Sequence, residues 1–127
     1  MKAGFPNWMI KSMFEDKWLP EAASTYQTLR DAAKRSLDKR LGAKIKKSSK
    51  AEGLFKQVHK TIALLKENPR HPGLQTHEFH SLPHPYFPSE KVFEAYSQHK
   101  TPGAYRVFWC YGPDKGQVTI IAITPHP

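Results

Sequence analysis

Apolar positions recur along this chain in three rhythms. Over residues 5–19 they crowd together, with Phe5, Trp8, Met9, Ile10, Met13, Phe14, Trp18 and Leu19. A short strand over 7–13 leading into a helix accounts best for that crowding, and a helix throughout fits it almost as well. From Pro20 the period becomes helical. Pro20 suits a first helical position, where its missing N–H costs little, and Glu21 favours the positive helix end. Tyr26, Leu29, Ala33, Leu37 and Leu41 then fall on one face, which predicts a helix over 20–41 with Gly42 as its stop. Ser49-Lys50-Ala51-Glu52 is a capping-box sequence opening a second helix over 50–67. Leu54, Phe55, Val58, Ile62 and Leu65 give that helix its apolar face, and Asn68-Pro69 ends it. Two helices joined by a short turn predict an antiparallel pair.

After Pro69 the rhythm becomes that of strands. Residues 74–82 mix Thr, Phe and His in a run able to pair, whereas 83–88 hold three prolines and form a loop. A strand over 91–97 puts Val92, Glu94 and Tyr96 on one face and Phe93 and Ala95 on the other. The runs 104–111 and 117–124 read as an antiparallel hairpin around a five-residue loop, Gly112-Pro113-Asp114-Lys115-Gly116. In the first of these, Val107, Trp109 and Tyr111 point one way and Arg106, Phe108 and Cys110 the other. The pattern predicts an α+β fold, with a helical hairpin packed on a mostly antiparallel sheet.

Composition narrows the function classes. The chain has 127 residues, which predicts one domain over 1–127. Lys plus Arg number 20 against 11 acidic residues, for a formal charge of +9. That surplus must lie on the surface, where it attracts nucleic acid, an acidic protein or an anionic membrane. No apolar run approaches the roughly 20 residues that span a bilayer, and the N-terminal residues lack the apolar core of a secretory signal. A cytoplasmic protein without a membrane partner is the expectation. One cysteine, Cys110, excludes an internal disulfide framework and any multi-thiolate metal site. Beside Trp109 in a strong strand, it reads as a buried, inert thiol.

Several short motifs, taken in order, carry a resemblance. Asn68-Pro69-Arg70-His71-Pro72-Gly73-Leu74 follows a helix. Val92-Phe93-Glu94-Ala95-Tyr96, Ala104-Tyr105-Arg106-Val107-Phe108-Trp109 and the last apolar run 120–127 come after it. Over about residues 50–127 this order resembles the RelE/ParE superfamily of toxins from bacterial type II toxin–antitoxin pairs. The resemblance implies a curved sheet on a helical hairpin, a basic concave face, and a cognate antitoxin as partner. It implies either ribosome-dependent cleavage of messenger RNA without a metal or cofactor, or inhibition of DNA gyrase by binding. Arg106 matches the family arginine of the "yR" pair. Tyr96 stands near a position where the nuclease branch often has another arginine. A basic nucleic-acid-binding accessory protein without toxicity is a third reading of the same charge.

Cleavage by a 2′-hydroxyl needs a proton acceptor, charge stabilisation and a proton donor for the leaving oxygen. Arg106 suits the charge role through its planar fork, and an ion pair with Glu94 on the neighbouring strand is compatible with it. His126, at the end of the last strand, suits acid–base work because imidazole titrates near neutral pH. Arg106, His126, Glu94 and Tyr96 are therefore the candidate catalytic residues. Arg70, His77 and the lysines of the helix turn (Lys44, Lys46, Lys47, Lys50) are candidates for contacting RNA. Tyr96, Tyr105 and Tyr111 could stack on splayed bases. The spacing of His77, His80 and His84 matches no strong zinc pattern, so no metal site is expected.

Overall fold

Both helices start where the local chemistry lets them, in a computed structural model that describes residues 13–99 and 102–127. Helix α1 runs Pro20–Gly42, with Pro20 in its first turn and Lys39 and Arg40 in its last. Gly42 stays helical, and the left-handed residue that turns the chain is Lys44, at φ 58°. Helix α2 runs Lys50–Glu67. Its predicted capping box is present: the Ser49 hydroxyl accepts from the Glu52 N–H, and the Glu52 carboxylate accepts from the Ser49 N–H. The same carboxylate takes Arg40 Nε at 2.7 Å, which ties the end of α1 to the start of α2. That hydrogen-bonded clamp closes the antiparallel helical hairpin.

Five strands form one sheet in the order β1-β5-β4-β3-β2. They are β1 Glu15–Trp18, β2 His77–Phe79, β3 Val92–Tyr96, β4 Tyr105–Tyr111 and β5 Gln117–Pro125. All neighbours pair antiparallel except β1, which lies parallel to β5 with Glu15 opposite Gln117. The fold is thus α+β, as the rhythms predict, and β4–β5 is the expected hairpin. On one face Ala22, Val58, Ile62 and Leu65 from the helices pack against Ala95, Val107, Trp109 and Ile120. On the other, Val92, Phe108, Cys110 and Ile121 form a smaller cluster with Leu19, Phe79 and Leu82 at its margin.

Two expectations need correcting, one falls outside the described residues, and the expected loop is held in a way the sequence does not show. The strand expected over 7–13 falls almost wholly outside the described residues; the first described strand is β1, only 4 residues long and built from three charged residues followed by Trp18. The expected run 74–82 is a strand only over His77–Phe79, because Pro72–Leu74 forms a 3₁₀ turn that buries Leu74. Leu41, at the end of the apolar stripe of α1, is 59% exposed. Residues 41–48 are all exposed, so the tip of the hairpin lies outside the packed layer. Finally, the proline-rich loop is docked by a buried histidine. His84 Nδ1 accepts the Tyr86 and Phe87 N–H groups at 3.1 and 3.0 Å, so its Nε2–H donates to the Tyr111 carbonyl at 2.8 Å. Among the described residues no helix is long and apolar enough to cross a membrane.

Candidate functional site

Alternation along the strands gathers polar groups on the face away from the helices. His77 is opposite Glu94, Tyr96 opposite Arg106, and Arg106 opposite Thr124. These side chains therefore share one face and one end of the sheet. Arg106 Nη1 donates to Glu94 Oε2 at 2.6 Å, and the two side chains are only 14% and 9% exposed. The Tyr96 hydroxyl is hydrogen-bonded to both. Burial and the Glu94 carboxylate raise the Tyr96 pKa above its usual value, more than Arg106 lowers it, so this phenol stays protonated near neutral pH. The Arg106 guanidinium lies 4.7 Å from the Phe108 ring centroid and 5.7 Å from that of Phe79. Its Nε is buried without a hydrogen-bond partner among the described residues.

Two imidazoles flank this group. The His77 ring is 6.2 Å from Tyr96, edge-on, and the His126 ring is 6.4 Å from Tyr96. The hairpin brings residues 124–126 beside 104–106 as its register requires. Arg106 is opposite Thr124, and the His126 N–H donates to the Ala104 carbonyl at 2.7 Å. The structure thus brings together Arg106, Glu94, Tyr96, His126 and His77. Arg106 supplies charge, Tyr96 a hydroxyl, and His126, half-buried and next to Tyr96, a group that takes or gives a proton.

Other candidates lie elsewhere. Arg70 sits in a recess with Phe93, Trp109 and Tyr111, at the opposite end of β4 and on its helix-facing side. Lys44, Lys46, Lys47 and Lys50 occupy the exposed hairpin tip. Lys50 precedes Gln57, which binds Gln98 beyond β3, by about 10 Å of helix. The tip is not part of the Arg106 cluster. Cys110 is fully buried, and burial pushes its thiol up to about 11, as suits an inert role. Phe108 is buried in the smaller cluster, and Phe79, given no part by sequence reasoning, packs against it at 4.6 Å between ring centroids. Two-residue periodicity already placed Phe108 on the same face as Arg106.

The architecture has known counterparts. A YoeB/ParE toxin from Agrobacterium tumefaciens superposes with a TM-score of 0.54 at 8% identity, over 89% of this chain and 99% of that one. A YoeB dimer from Staphylococcus aureus gives 0.52 at 10% identity, over 91% and 99%. A chain of an archaeal RelE–RelB complex from Pyrococcus horikoshii gives 0.51 at 10% identity, over 89% and 94%. This is the RelE/ParE toxin fold. No family model matches the chain, and no curated protein matches it by sequence. On this RelE/ParE fold, Arg106 occupies a central strand and His126 the end of the strand beside it. Pairing with Glu94 offsets the charge of Arg106, so a bound phosphate would meet the guanidinium only on edges that Glu94 leaves open.

Proposed function

We propose that this chain is the toxin of a toxin–antitoxin pair, acting as a ribosome-dependent endoribonuclease on messenger RNA and restrained by a cognate antitoxin. The carrying observation is a toxin fold whose open face assembles Arg106, Glu94, Tyr96 and His126 within one hydrogen-bonded and ring-contact group. In this reading the RNA backbone lies across that face, drawn by the +9 charge. The 2′-hydroxyl attacks the adjacent phosphorus, a P–O2′ bond forms and the P–O5′ bond breaks. Arg106 stabilises the charge that develops on the phosphoryl oxygens, and Glu94 and the Tyr96 hydroxyl hold Arg106 in place. His126 takes the proton from the 2′-hydroxyl, and a proton is delivered from His126 or water to the departing 5′-oxygen. No metal or cofactor takes part. The similar archaeal chain belongs to a RelE–RelB complex, which supports an antitoxin as partner here.

A second reading, a toxin that inhibits a target such as DNA gyrase by binding, is favoured by one observation: Glu94 already neutralises Arg106. Induced expression with primer-extension mapping of cellular messages separates the two. New 5′ ends within translated messages are expected. Growth arrest with intact messages selects the binding inhibitor, and unimpaired growth removes the toxin reading.

A further inference from the structure

Beside the Arg106 cluster the open face continues into a trench of about 660 Å³. Leu19, Leu82, Ile121 and Ala122 line it, and Phe108 and Phe79 lie by the Arg106 guanidinium. Its other polar groups are few: the Glu21 carboxylate and the Ser81 and Thr124 hydroxyls. Concave, largely apolar walls with a few convergent polar groups suit a small planar ligand. A phosphate is disfavoured there, because the hydrocarbon lining does not solvate it and Glu21 repels it. An aliphatic side chain would fill the space but leave the carboxylate and hydroxyls unanswered.

We propose that this trench is a base pocket, seating one unpaired guanine of the RNA next to the Arg106 cluster; the inference rests on the RNA-directed reading of the site. Bases splayed from single-stranded RNA bring a π-face for the apolar walls and polar edges for the few polar groups. Guanine alone among the four bases offers two adjacent donors, N1–H and N2–H, and two adjacent acceptors, O6 and N7. The first pair matches the Glu21 carboxylate, and the second can accept from an Arg106 N–H that Glu94 leaves open. Arg106 belongs to both the trench and the cluster. It links base recognition to the point where the backbone is cut.

The test is titration of the isotope-labelled full chain with each 5′-mononucleotide in turn, followed by amide shifts. GMP is expected to move Ser81, Ala122 and Thr124 and to bind about tenfold more tightly than AMP, CMP or UMP. Glu21→Gln, on an exposed first-turn position of α1, keeps the fold and loses that preference. Equal shifts from all four nucleotides, shifts elsewhere, or a preference that survives Glu21→Gln overturn the proposal. So does a trench that responds to a leucine-rich peptide and to no nucleotide. If the chain cuts no message yet GMP occupies the trench, the nuclease reading falls and the pocket stands. If it cuts messages and no guanine preference exists, the reverse holds.

Discussion

Along β4, Val107 and Trp109 face the helices at 0% and 1% exposure, whereas Arg106 and Phe108 face the other way and set a guanidinium against an aromatic ring. One strand therefore serves two purposes on alternate residues. The helix-facing side is hydrocarbon packed against hydrocarbon, and its stability comes from apolar area removed from water. The open side holds a charge pair that burial makes costly and mutual attraction offsets. Such a pair adds little net stability compared with an apolar substitute of the same shape. It does fix where Arg106 points, and a charge-stabilising group requires that. The helix face holds the fold, and the open face spends part of that stability on orientation.

The largest expected effect breaks the first side. Trp109→Ala should cost about 3–5 kcal/mol in chemical denaturation, since it empties the centre of the core. A loss under about 1 kcal/mol would mean the two faces do not divide the labour this way. Next comes the charge pair. A double-mutant cycle on Arg106→Ala and Glu94→Ala should give a coupling of about 1–3 kcal/mol. Additive single effects would leave Arg106 unanchored.

The sequence carried the first side better than the second. Helical period, the Ser49 capping box and two-residue alternation in β3 and β4 are local signals, and each survives in the structure. Alternation also set Arg106 and Glu94 facing the same way, and their ion pair is present. Illegible features depend on distant partners. The short β1 shows no apolar run, because its pairing comes from β5 about a hundred residues on. Nothing near His84 reveals that the Tyr111 carbonyl waits for its Nε2–H. The trench joins the start of α1 to β4 and β5, so no single stretch encodes it.

A smaller effect probes the open face by pH. Tyr96 on the open side and Cys110 on the second cluster both hold their protons more tightly when folded. The stability each contributes is complete below its usual value, near 10 and 9 respectively, and is lost as pH rises through the raised one, about 11 for the thiol. Denaturation midpoints should fall across the alkaline range, and Tyr96→Phe should remove only part of the slope. An unchanged slope would place Tyr96 in water.

In the proposed reading the open face, and not the fold alone, does the cutting. Losing a charge-stabilising donor costs about 10²–10³ in rate, and losing acid–base catalysis about 10²–10⁴. The most direct measurement is message cleavage, mapped by primer extension at matched expression, for the wild type, Arg106→Ala and His126→Ala. The wild type should cut, and each variant should lose cutting and growth arrest while staying folded. Two variants that cut as well as the wild type would contradict the assignment.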